Sequence, residues 1–578
     1  MNQELAKILF EMAELLEMKE VPFKPRAFEK AAHSLEALDE NISEIYKKGG
    51  IKALEEIPGV GKGIAERIEE FIKTGKIKDY DRLKKEMPVD VSGLTAIEGV
   101  GPKIIKTLYK KLKVKNIKDL EKAAKTGKLR DLPRFGEKLE QKIIKGVEFQ
   151  KKSSGRMNIG DAMPLARKII SELKKVSGVE RVEPAGSLRR WQESVGDLDF
   201  LAISSKPKLI SEKFVKMPEV SHVYAKGITK SMVRLRQGID ADLRVLPHKS
   251  FGAALQYFSG DKSHNVALRK IAIKKKYKLN EYGLFRGKKL IEGRDEEKIY
   301  RKLGIDWMPP ELRTASGEIE TAHEHKLPKL VELKDIKGDL QIQTDWSDGS
   351  NSIEEMAKKG KELGYEYIVI TDHTKSLAMT GGADDKKLLR QIAYIEKLNK
   401  KISGIRILSG AEVNILKDGS LDISDEVLAR LDFAGGAIHS AFNLSEQEQT
   451  ERMIKAMQNP HIDIIFHPTT RIPMRREPIK LDFERIFKEA SRTGTMLEIN
   501  AHPWRLDLHD VLIREAKKYG VHFMINTDAH SLHDMDYMEY GVGQARRGWA
   551  EKSDIINTLP LAKLLELLKK PKSKRFYG

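Results

Sequence analysis

The first 85 residues carry apolar side chains at intervals of three and four, with charged residues between them. In the opening segment these positions are Leu5, Ile8, Leu9, Met12, Leu15 and Leu16. Such spacing puts the apolar residues on one face of a helix. Asn41 and the pair Gly49-Gly50 mark turns, so this part of the chain is predicted to consist of several short helices.

Strands and helices alternate in two later regions. Between residues 180 and 300, Leu198–Ile203 and Ala241–Leu246 are apolar runs typical of buried strands. After a proline-containing connector, short apolar strands such as Tyr367–Thr371 and Ile462–Phe466 alternate with amphipathic helices such as Ser352–Leu363. This second pattern favours an α/β barrel-like domain.

Bulk composition narrows the class of protein. The chain has 578 residues, enough for about three to five domains, and a hydrophobic content of 40% is sufficient for packed cores. No apolar run reaches the length of about 18 residues that a membrane-spanning helix needs. The chain has no cysteine, which excludes disulfides and thiol catalysis and favours an intracellular setting.

The positive charge is concentrated in the first part of the chain. The formal net charge is +19, of which residues 1–330 contribute +20 and residues 331–578 contribute −1. A module with such an excess attracts a polyanion such as nucleic acid, because binding releases the counterions of the polyanion. Charge alone leaves open the alternative of a lysine-rich solvated surface.

A glycine motif occurs twice in the basic region. Residues 57–65 and 97–104 each have an apolar helix end, a Gly-x-Gly turn and a new helix, and residues 132–138 form a degenerate third copy. The turn lets the backbone approach a phosphate, and the next helix offers free N–H groups. The motif resembles the helix-hairpin-helix element, which binds the DNA backbone without reading sequence. The expected DNA contacts are Gly59, Gly61, Lys62, Gly99, Gly101 and Lys103.

Three carboxylates indicate the chemistry. Asp197 and Asp199 lie at i and i+2 in a predicted strand and so point to one face. Asp242 in a neighbouring strand could complete a cage for a divalent metal, and the turn at Gly186-Ser187 with Arg190 could hold a triphosphate. A single Asp-x-Asp pair is usually structural, but these parts together favour nucleotidyl transfer.

Residues 1–320 resemble a family X DNA polymerase, the class that includes DNA polymerase beta. The helix-hairpin-helix pair, Gly186-Ser187, Asp197/Asp199, Asp242-Leu243-Arg244, Tyr257–Gly260 and Asn280-Glu281-Tyr282 occur in the order of that family. The resemblance implies that the three aspartates bind two Mg²⁺ or Mn²⁺ ions. It also implies nucleotide contacts at Gly186, Ser187, Arg190, Gly196, Tyr257, Phe258, Gly260 and Asn265, and DNA contacts at Lys24 and Arg269.

One position departs from the relatives that have 5′-deoxyribose-phosphate lyase activity. Those relatives use a lysine in the helix after the first hairpin, whereas this chain has Arg67 there and Gly63 at a second lysine position. A guanidinium stays protonated and cannot form the Schiff base. Gap binding with little or no lyase activity is therefore expected.

Residues 335–578 resemble the PHP (polymerase and histidinol phosphatase) domain that follows such polymerases in bacteria and archaea. The ligands of that family match Asp348, His373, Glu412, His439, His467, Asp528 and His530. The resemblance implies a centre for Zn²⁺, Mn²⁺ or Fe that activates water against a phosphodiester. Two ligand groups are complete: Glu412/His439/His467 and Asp348/His373/His530.

The opening His-x-His of the PHP family is missing. This chain has Gln341 and Gln343 in its place, and a glutamine oxygen is a weak, neutral ligand. We therefore expect two metals to bind firmly and the third weakly or not at all, with a feeble 3′→5′ exonuclease. The alternative is that the glutamines suffice with Mn²⁺.

The expected fold class is multidomain, with α+β and α/β units. The predicted segments are a helical DNA/5′-phosphate-binding domain (1–85), a fingers-like helical region (86–153), a nucleotidyltransferase-type palm (154–250), a thumb-like nucleotide-selection region (251–320), a linker (321–338) and a distorted PHP barrel (339–578). The predicted function is gap filling in DNA repair, on gapped or primer-template DNA with deoxynucleoside triphosphates, by a cytoplasmic prokaryotic monomer without membrane contact. Two rivals remain: a DNA-processing exonuclease or phosphoesterase whose polymerase half only docks DNA, and a non-catalytic DNA-binding protein.

Overall fold

The structure, a computed structural model, describes residues 1–576 except 37, 39, 40, 96, 98, 99, 131, 133, 134, 138, 142, 145, 148–154, 378 and 379. The side chains of residues 3, 33, 36 and 92 are also outside the description. Gly99 of the second hairpin and residues 133, 134 and 138 of the degenerate third copy therefore lie outside the described residues.

The N-terminal region is helical, as its apolar spacing predicts. Its helices are Asn2–Met18, Lys24–Glu36, Ile42–Glu55, Lys62–Thr74, Lys78–Glu86, Val91–Thr95, Pro102–Leu112 and Ile117–Lys125. Buried apolar side chains from Leu5 to Val147 form one continuous cluster. The segments expected to be two domains thus share a core in this structure.

The predicted palm is a five-stranded sheet with helices Ile159–Lys174 and Pro207–Val215. In spatial order its strands are Val179–Pro184, Asp197–Ser204, Asp240–Val245, Lys230–Leu235 and Val220–Lys226. The two central strands that carry the aspartates run parallel, and the other pairs run antiparallel. A two-stranded ribbon of Met157–Asn158 and Ser194–Val195 lies beside helix Ile159–Lys174.

The predicted thumb follows directly. It contains helices His248–Ser259, Lys262–Lys274, Glu296–Lys302 and Glu318–His323, a 3₁₀ turn at Pro310–Leu312, and a small antiparallel sheet of Lys278–Asn280, Gly283–Arg286 and Lys289–Glu292. The first of these helices packs on palm strand Asp197–Ser204. The carboxyl end of this helix also contacts the palm, where the Arg244 guanidinium lies 4.5 Å from the centroid of the Phe258 ring.

The C-terminal region is a nearly closed barrel of seven parallel strands. They are Gly338–Ile342, Tyr367–Ile370, Arg406–Asn414, Phe433–Ala437, Ile464–Ile465, Met496–Asn500 and Phe523–Asn526. Helices Ile353–Glu362, Asp385–Asn399, Asp425–Leu428, Glu446–Gln458, Phe483–Thr493, Asp510–Lys517, Met538–Arg547 and Leu561–Lys569 accompany them. A parallel bridge between Ile342 and Ala529 brings the last strand to the first, and the predicted fold class is confirmed. Within the described ranges, no helix has the length and hydrophobicity needed to cross a membrane.

The barrel packs closely on the palm. Leu506 and Tyr540 of the barrel belong to the same buried cluster as the palm residues. Arg167 of the palm makes a two-pronged ion pair with Glu539 at 2.6 and 2.7 Å. Helix Met538–Arg547, called the docking helix below, contributes Glu539 and Tyr540 to this interface. The polymerase-like and PHP-like parts are therefore joined by packed side chains as well as by the chain.

Candidate active sites in the palm and in the barrel

The palm carboxylates lie at neighbouring positions because two parallel strands pair in register. Asp197 lies opposite Asp240, and Asp199 lies opposite Asp242, so all four point to one face of the sheet. Burial raises the pKa of Asp199 to about 7, and the charges of Asp197 and Asp242 add to the effect. Asp240 forms an ion pair with Arg234 at 3.0 Å, and Lys230 Nζ lies 3.8 Å from Asp242 Oδ2. The other three carboxylates form an oxygen-rich donor set whose mutual repulsion a divalent cation would relieve.

The loop of residues 186–196, called the nucleotide loop below, runs past these carboxylates. Gly186 has φ +61, and a Cβ at this position would lie 2.7 Å from Asp199 Oδ2, so the turn needs glycine both for its conformation and for its close approach. Arg190 Nη1 donates to the Ser259 carbonyl at 2.6 Å, which ties the loop to the thumb. The loop also carries the expected nucleotide contacts Ser187 and Gly196.

Residues 257–260, the Tyr257–Gly260 turn, form the last turn of helix His248–Ser259 and its capping glycine. The Tyr257 and Phe258 rings meet edge to face with centroids 5.1 Å apart, and the Arg244 guanidinium lies 4.5 Å from the centroid of Phe258. Asn265 Nδ2 donates to the carbonyls of Tyr257 and Gly260 at 2.7 and 3.0 Å. In this structure Asn265 therefore orders the turn, and Arg269 follows it one helical turn later.

The expected DNA contacts lie at helix starts in the N-terminal region. Gly61 and Gly101 cap helices Lys62–Thr74 and Pro102–Leu112, so each helix directs its free N–H groups towards solvent beside a glycine turn. Lys24, Lys62 and Lys103 are exposed, and Gly59 adopts φ +79. These features match the geometry of a site for backbone phosphates.

Two features were not anticipated from the sequence: an exposed aromatic ring beside a candidate DNA contact, and an ion pair between the palm and the thumb. Phe23 is 89% exposed beside Lys24, and an exposed aromatic ring next to a phosphate site can stack on a base.

Arg189 makes a two-pronged ion pair with Glu296 of the thumb, both bonds at 2.9 Å. In the sequence, only the neighbouring Arg190 pointed to a role for Arg189. Its partner Glu296 is more than 100 residues away, so local spacing could not predict the ion pair.

Arg67 is engaged within its own domain. Its guanidinium forms an ion pair with Asp79 and donates to the Gly63 carbonyl. It also lies 5.7 Å from the centroid of the Phe28 ring. The expectation of little or no lyase activity stays a prediction, and this local anchoring agrees with it.

The seven expected ligands of the barrel lie at or beyond the carboxyl ends of its strands, and two groups of three converge. In Asp348/His373/His530 and in His373/Glu412/His439 the candidate ligand atoms lie within 4.8 Å of one another. The second group contains His373 where His467 was expected, but His467 Nε2 is still 2.8 Å from Glu412 Oε1. His439 Nε2 and His373 Nδ1 are buried and lie 3.0 and 3.5 Å from the carboxylate oxygens of Glu412. Imidazole nitrogens gathered around a carboxylate suit a transition-metal ion.

Gln341 and Gln343 lie against the central carboxylate of the barrel. Their Nε2 atoms donate to Glu412 Oε2 at 3.1 and 2.8 Å. Although burial alone would raise the pKa of Glu412, the charge of His373 and hydrogen bonds from neighbouring imidazoles hold that pKa well below its usual range. The glutamine amides thus donate hydrogen bonds to this carboxylate from the two positions at which the PHP pattern has metal-binding imidazoles.

Asp528 and His530 follow the carboxyl end of the last barrel strand, Phe523–Asn526. Asn500 Nδ2 donates to Asp528 Oδ2 at 3.2 Å, and Asp528 has φ +55, a backbone strain of the kind found at functional sites. Burial alone would lower the pKa of His530, but Asp348 and Asp528 raise it to about 9. A metal at Asp348/His373/His530 would therefore have to displace a proton from His530.

Comparison with known proteins agrees with this geometry. Residues 1–77 match the helix-hairpin-helix domain family, residues 91–148 match the SAM-like helix-hairpin-helix tandem, residues 254–314 match the DNA polymerase beta thumb, and residues 339–502 match the PHP domain. Each match falls on the region where the corresponding motif was found.

Whole-chain similarity extends across all of these regions. The chain is 36% identical to the DNA polymerase/3′-5′ exonuclease PolX of Bacillus subtilis (strain 168), over 98% of this chain and 99% of that protein. The barrel region alone is 29% identical to a probable phosphatase of Thermoanaerobacter sp. (strain X514), over 39% of this chain and 90% of that protein. A probable phosphatase of Acetivibrio thermocellus is 31% identical over 31% of this chain and 73% of its own length. The chain therefore belongs to the family X DNA polymerases that carry a C-terminal PHP domain.

Proposed function

We propose that this chain fills short gaps in DNA by extending a primer on a template. The observation that carries the proposal is the in-register pairing that brings Asp197, Asp199 and Asp242 together beside the nucleotide loop. Such an oxygen donor set favours Mg²⁺ or Mn²⁺, which when bound would activate the primer hydroxyl and neutralise phosphate charge. The basic N-terminal region would supply the affinity for the DNA backbone.

The residues of the chain have distinct roles in this proposal. The three carboxylates hold the reacting groups through the bound cations. Ser187 and Arg190 orient the incoming deoxynucleoside triphosphate, because an arginine fork matches phosphate oxygens. The Tyr257–Gly260 turn, fixed by Asn265, forms the wall beside the sugar. We further propose that the protein acts as a monomer in the cytoplasm, on gapped or primer-template DNA.

The barrel is proposed to bind two transition-metal ions and to retain at most weak 3′→5′ exonuclease activity. Support comes from the hydrogen bonds that Gln341 and Gln343 donate to Glu412, because those bonds compete with a third metal ion. Zn²⁺, Mn²⁺ or Fe would suit the remaining imidazole and carboxylate ligands. The rival function, a nuclease whose polymerase half only docks DNA, needs a complete metal centre here.

One set of assays tests both halves on a single preparation. The parent protein should extend a primer across a one-nucleotide gap, Asp199→Ala should not, and His439→Ala should extend like the parent. Primer shortening by the parent should be slow. Strong shortening that His439→Ala abolishes, with no extension by the parent, would establish the rival function. Absence of both activities would favour a non-catalytic DNA-binding protein.

A further inference from the structure

The nucleotide loop begins with the short helix Gly186–Arg189, which is capped by Arg190 and ends in a tight left-handed turn at Trp191. Trp191 has φ +53, a left-handed conformation that is a genuine outlier for a bulky residue. The backbone N–H groups of Trp191 and Gln192 donate to the carbonyls of Leu188 and Ser187 at 3.0 and 3.1 Å. The same tight turn thus carries both Ser187 and Arg190, and strain of this kind persists only where surrounding contacts enforce it.

The barrel adds side-chain contacts to the backbone hydrogen bonds of this helix end. A Cβ added to Gly543 of the docking helix would lie 2.8 to 2.9 Å from atoms of the Trp191 indole, so the indole packs directly on the bare backbone of that helix. The Tyr540 ring meets the indole edge to face at 5.9 Å. Arg547 Nη1 donates to the Trp191 carbonyl at 3.2 Å, while its Nε donates to Asp510 at 3.1 Å. Glycine at position 543 therefore leaves the space that the indole fills.

The barrel also contacts the nucleotide loop beyond Gln192, at Glu193. Arg471 forms an ion pair with Glu193, and the Glu193 carbonyl accepts from Ile159 N at 3.0 Å. Asn158 Nδ2 donates to the Pro503 carbonyl at 2.9 Å. Barrel residues therefore contact the turn on both sides of Gln192.

We propose that the barrel is a structural part of the polymerase nucleotide site. Gly543 and Arg547 hold Trp191 in its left-handed conformation, and this turn sets the positions of Ser187 and Arg190 for the triphosphate. Trp191 and Gly543 are positioning residues, since they act through the residues that touch the nucleotide. The inference rests on the proposed polymerase function and extends it, because it assigns to the PHP part a role that requires no metal.

The test is steady-state gap filling by full-length Gly543→Val, whose side chain would enter the space of the indole. The KM for the deoxynucleoside triphosphate should rise about 5- to 20-fold while kcat changes by less than about twofold, because loop position affects nucleotide binding more than chemistry. Trp191→Ala should show the same split, and Trp191→Phe should recover most of the affinity. Melting temperature and barrel metal content should remain near those of the parent.

Glu539→Gln is the matched control. It removes the ion pair with Arg167 from the same helix and the same interface but does not touch the nucleotide loop, so its KM should equal that of the parent. A parental KM in both Gly543→Val and Trp191→Ala would overturn the inference, as would an equal KM increase in Glu539→Gln. If Gly543→Val fails to fold, the Trp191→Ala and Trp191→Phe pair decides. A parent without extension activity would instead refute the proposed function.

Discussion

The palm and the barrel both gather carboxylates at strand ends, but they balance the negative charge in opposite ways. In the palm, burial and, to a smaller extent, the charges of two neighbouring carboxylates raise the pKa of Asp199 to about 7. In the barrel, imidazoles and two glutamine amides surround Glu412, and its pKa lies well below the usual range. The palm balances its carboxylates only in part, through Lys230 at 3.8 Å from Asp242, and leaves Asp199 with a raised pKa. The barrel holds its central carboxylate ionised with its own imidazoles and amides.

Removing one palm carboxylate should have the largest effect. Asp242→Asn should lower the rate of gap filling by at least about 10³-fold, because an amide cannot replace a carboxylate in a cation site. Asp240→Asn is the matched control, since Asp240 lies on the same face of the same strand but pairs with Arg234. It should keep the rate within about threefold of the parent. Equal losses in both variants would show that strand charge, and not a defined cation site, supports the activity.

Completing the ligand set of the barrel should have the next largest effect. The double substitution Gln341→His with Gln343→His removes two donors from Glu412 and offers two imidazole nitrogens. We expect bound metal to rise from about two to about three equivalents and primer shortening to accelerate about 10²-fold, with gap filling unchanged. Both quantities can be measured on one preparation, by elemental analysis and by gel assay.

The control for that experiment is the double alanine variant at the same positions. It also removes the amide donors but adds no ligand, so it should gain neither metal nor activity. If the histidine variant gains metal without activity, the glutamines are not what limits phosphodiester cleavage. If the parent already holds three equivalents, the account of the glutamines as competitors of a metal ion is wrong.

The pH dependence of metal binding should differ more modestly between the two sites. Since the pKa of Asp199 is raised to about 7, a cation must displace a proton from it below that pH. The Mg²⁺ concentration for half-maximal gap filling should rise by up to about tenfold for each pH unit below 7 and change little above it. In the barrel, the His530 pKa of about 9 extends the gain in metal affinity to higher pH. A Mg²⁺ requirement that is flat between about pH 6 and 8 would contradict the palm prediction.

The sequence predicted the palm well because strand periodicity is a local property. The i, i+2 spacing of Asp197 and Asp199 fixed their shared face, and the structure confirms the strands on which they lie. Spacing could not separate Asp240 from Asp242, since both lie on one face. The neighbouring antiparallel strand separates them only by degree, because its Arg234 pairs with Asp240 at 3.0 Å and its Lys230 lies 3.8 Å from Asp242.

The barrel shows where sequence reasoning stops. The order of the motifs predicted ligands at strand ends and a weakened first position. It did not predict that His373 approaches Glu412, or that the glutamine amides turn towards the same carboxylate, because side-chain reach across strands sets both. The contact between Trp191 and Gly543 was equally hidden, since these residues are separated by more than 300 positions and neither belongs to a catalytic motif.

The way Trp191 sits on Gly543 has a consequence for protein engineering. A chimera that joins the polymerase portion of this chain to a C-terminal portion with a side chain at position 543 would force that side chain into the space of the Trp191 indole. Swaps that transfer residue 191 and residue 543 as a matched set should preserve substrate affinity, and swaps that divide the set should lose it. For this chain, the contact between the Trp191 indole and Gly543 therefore limits where the two parts can be exchanged, in addition to the linker in the sequence.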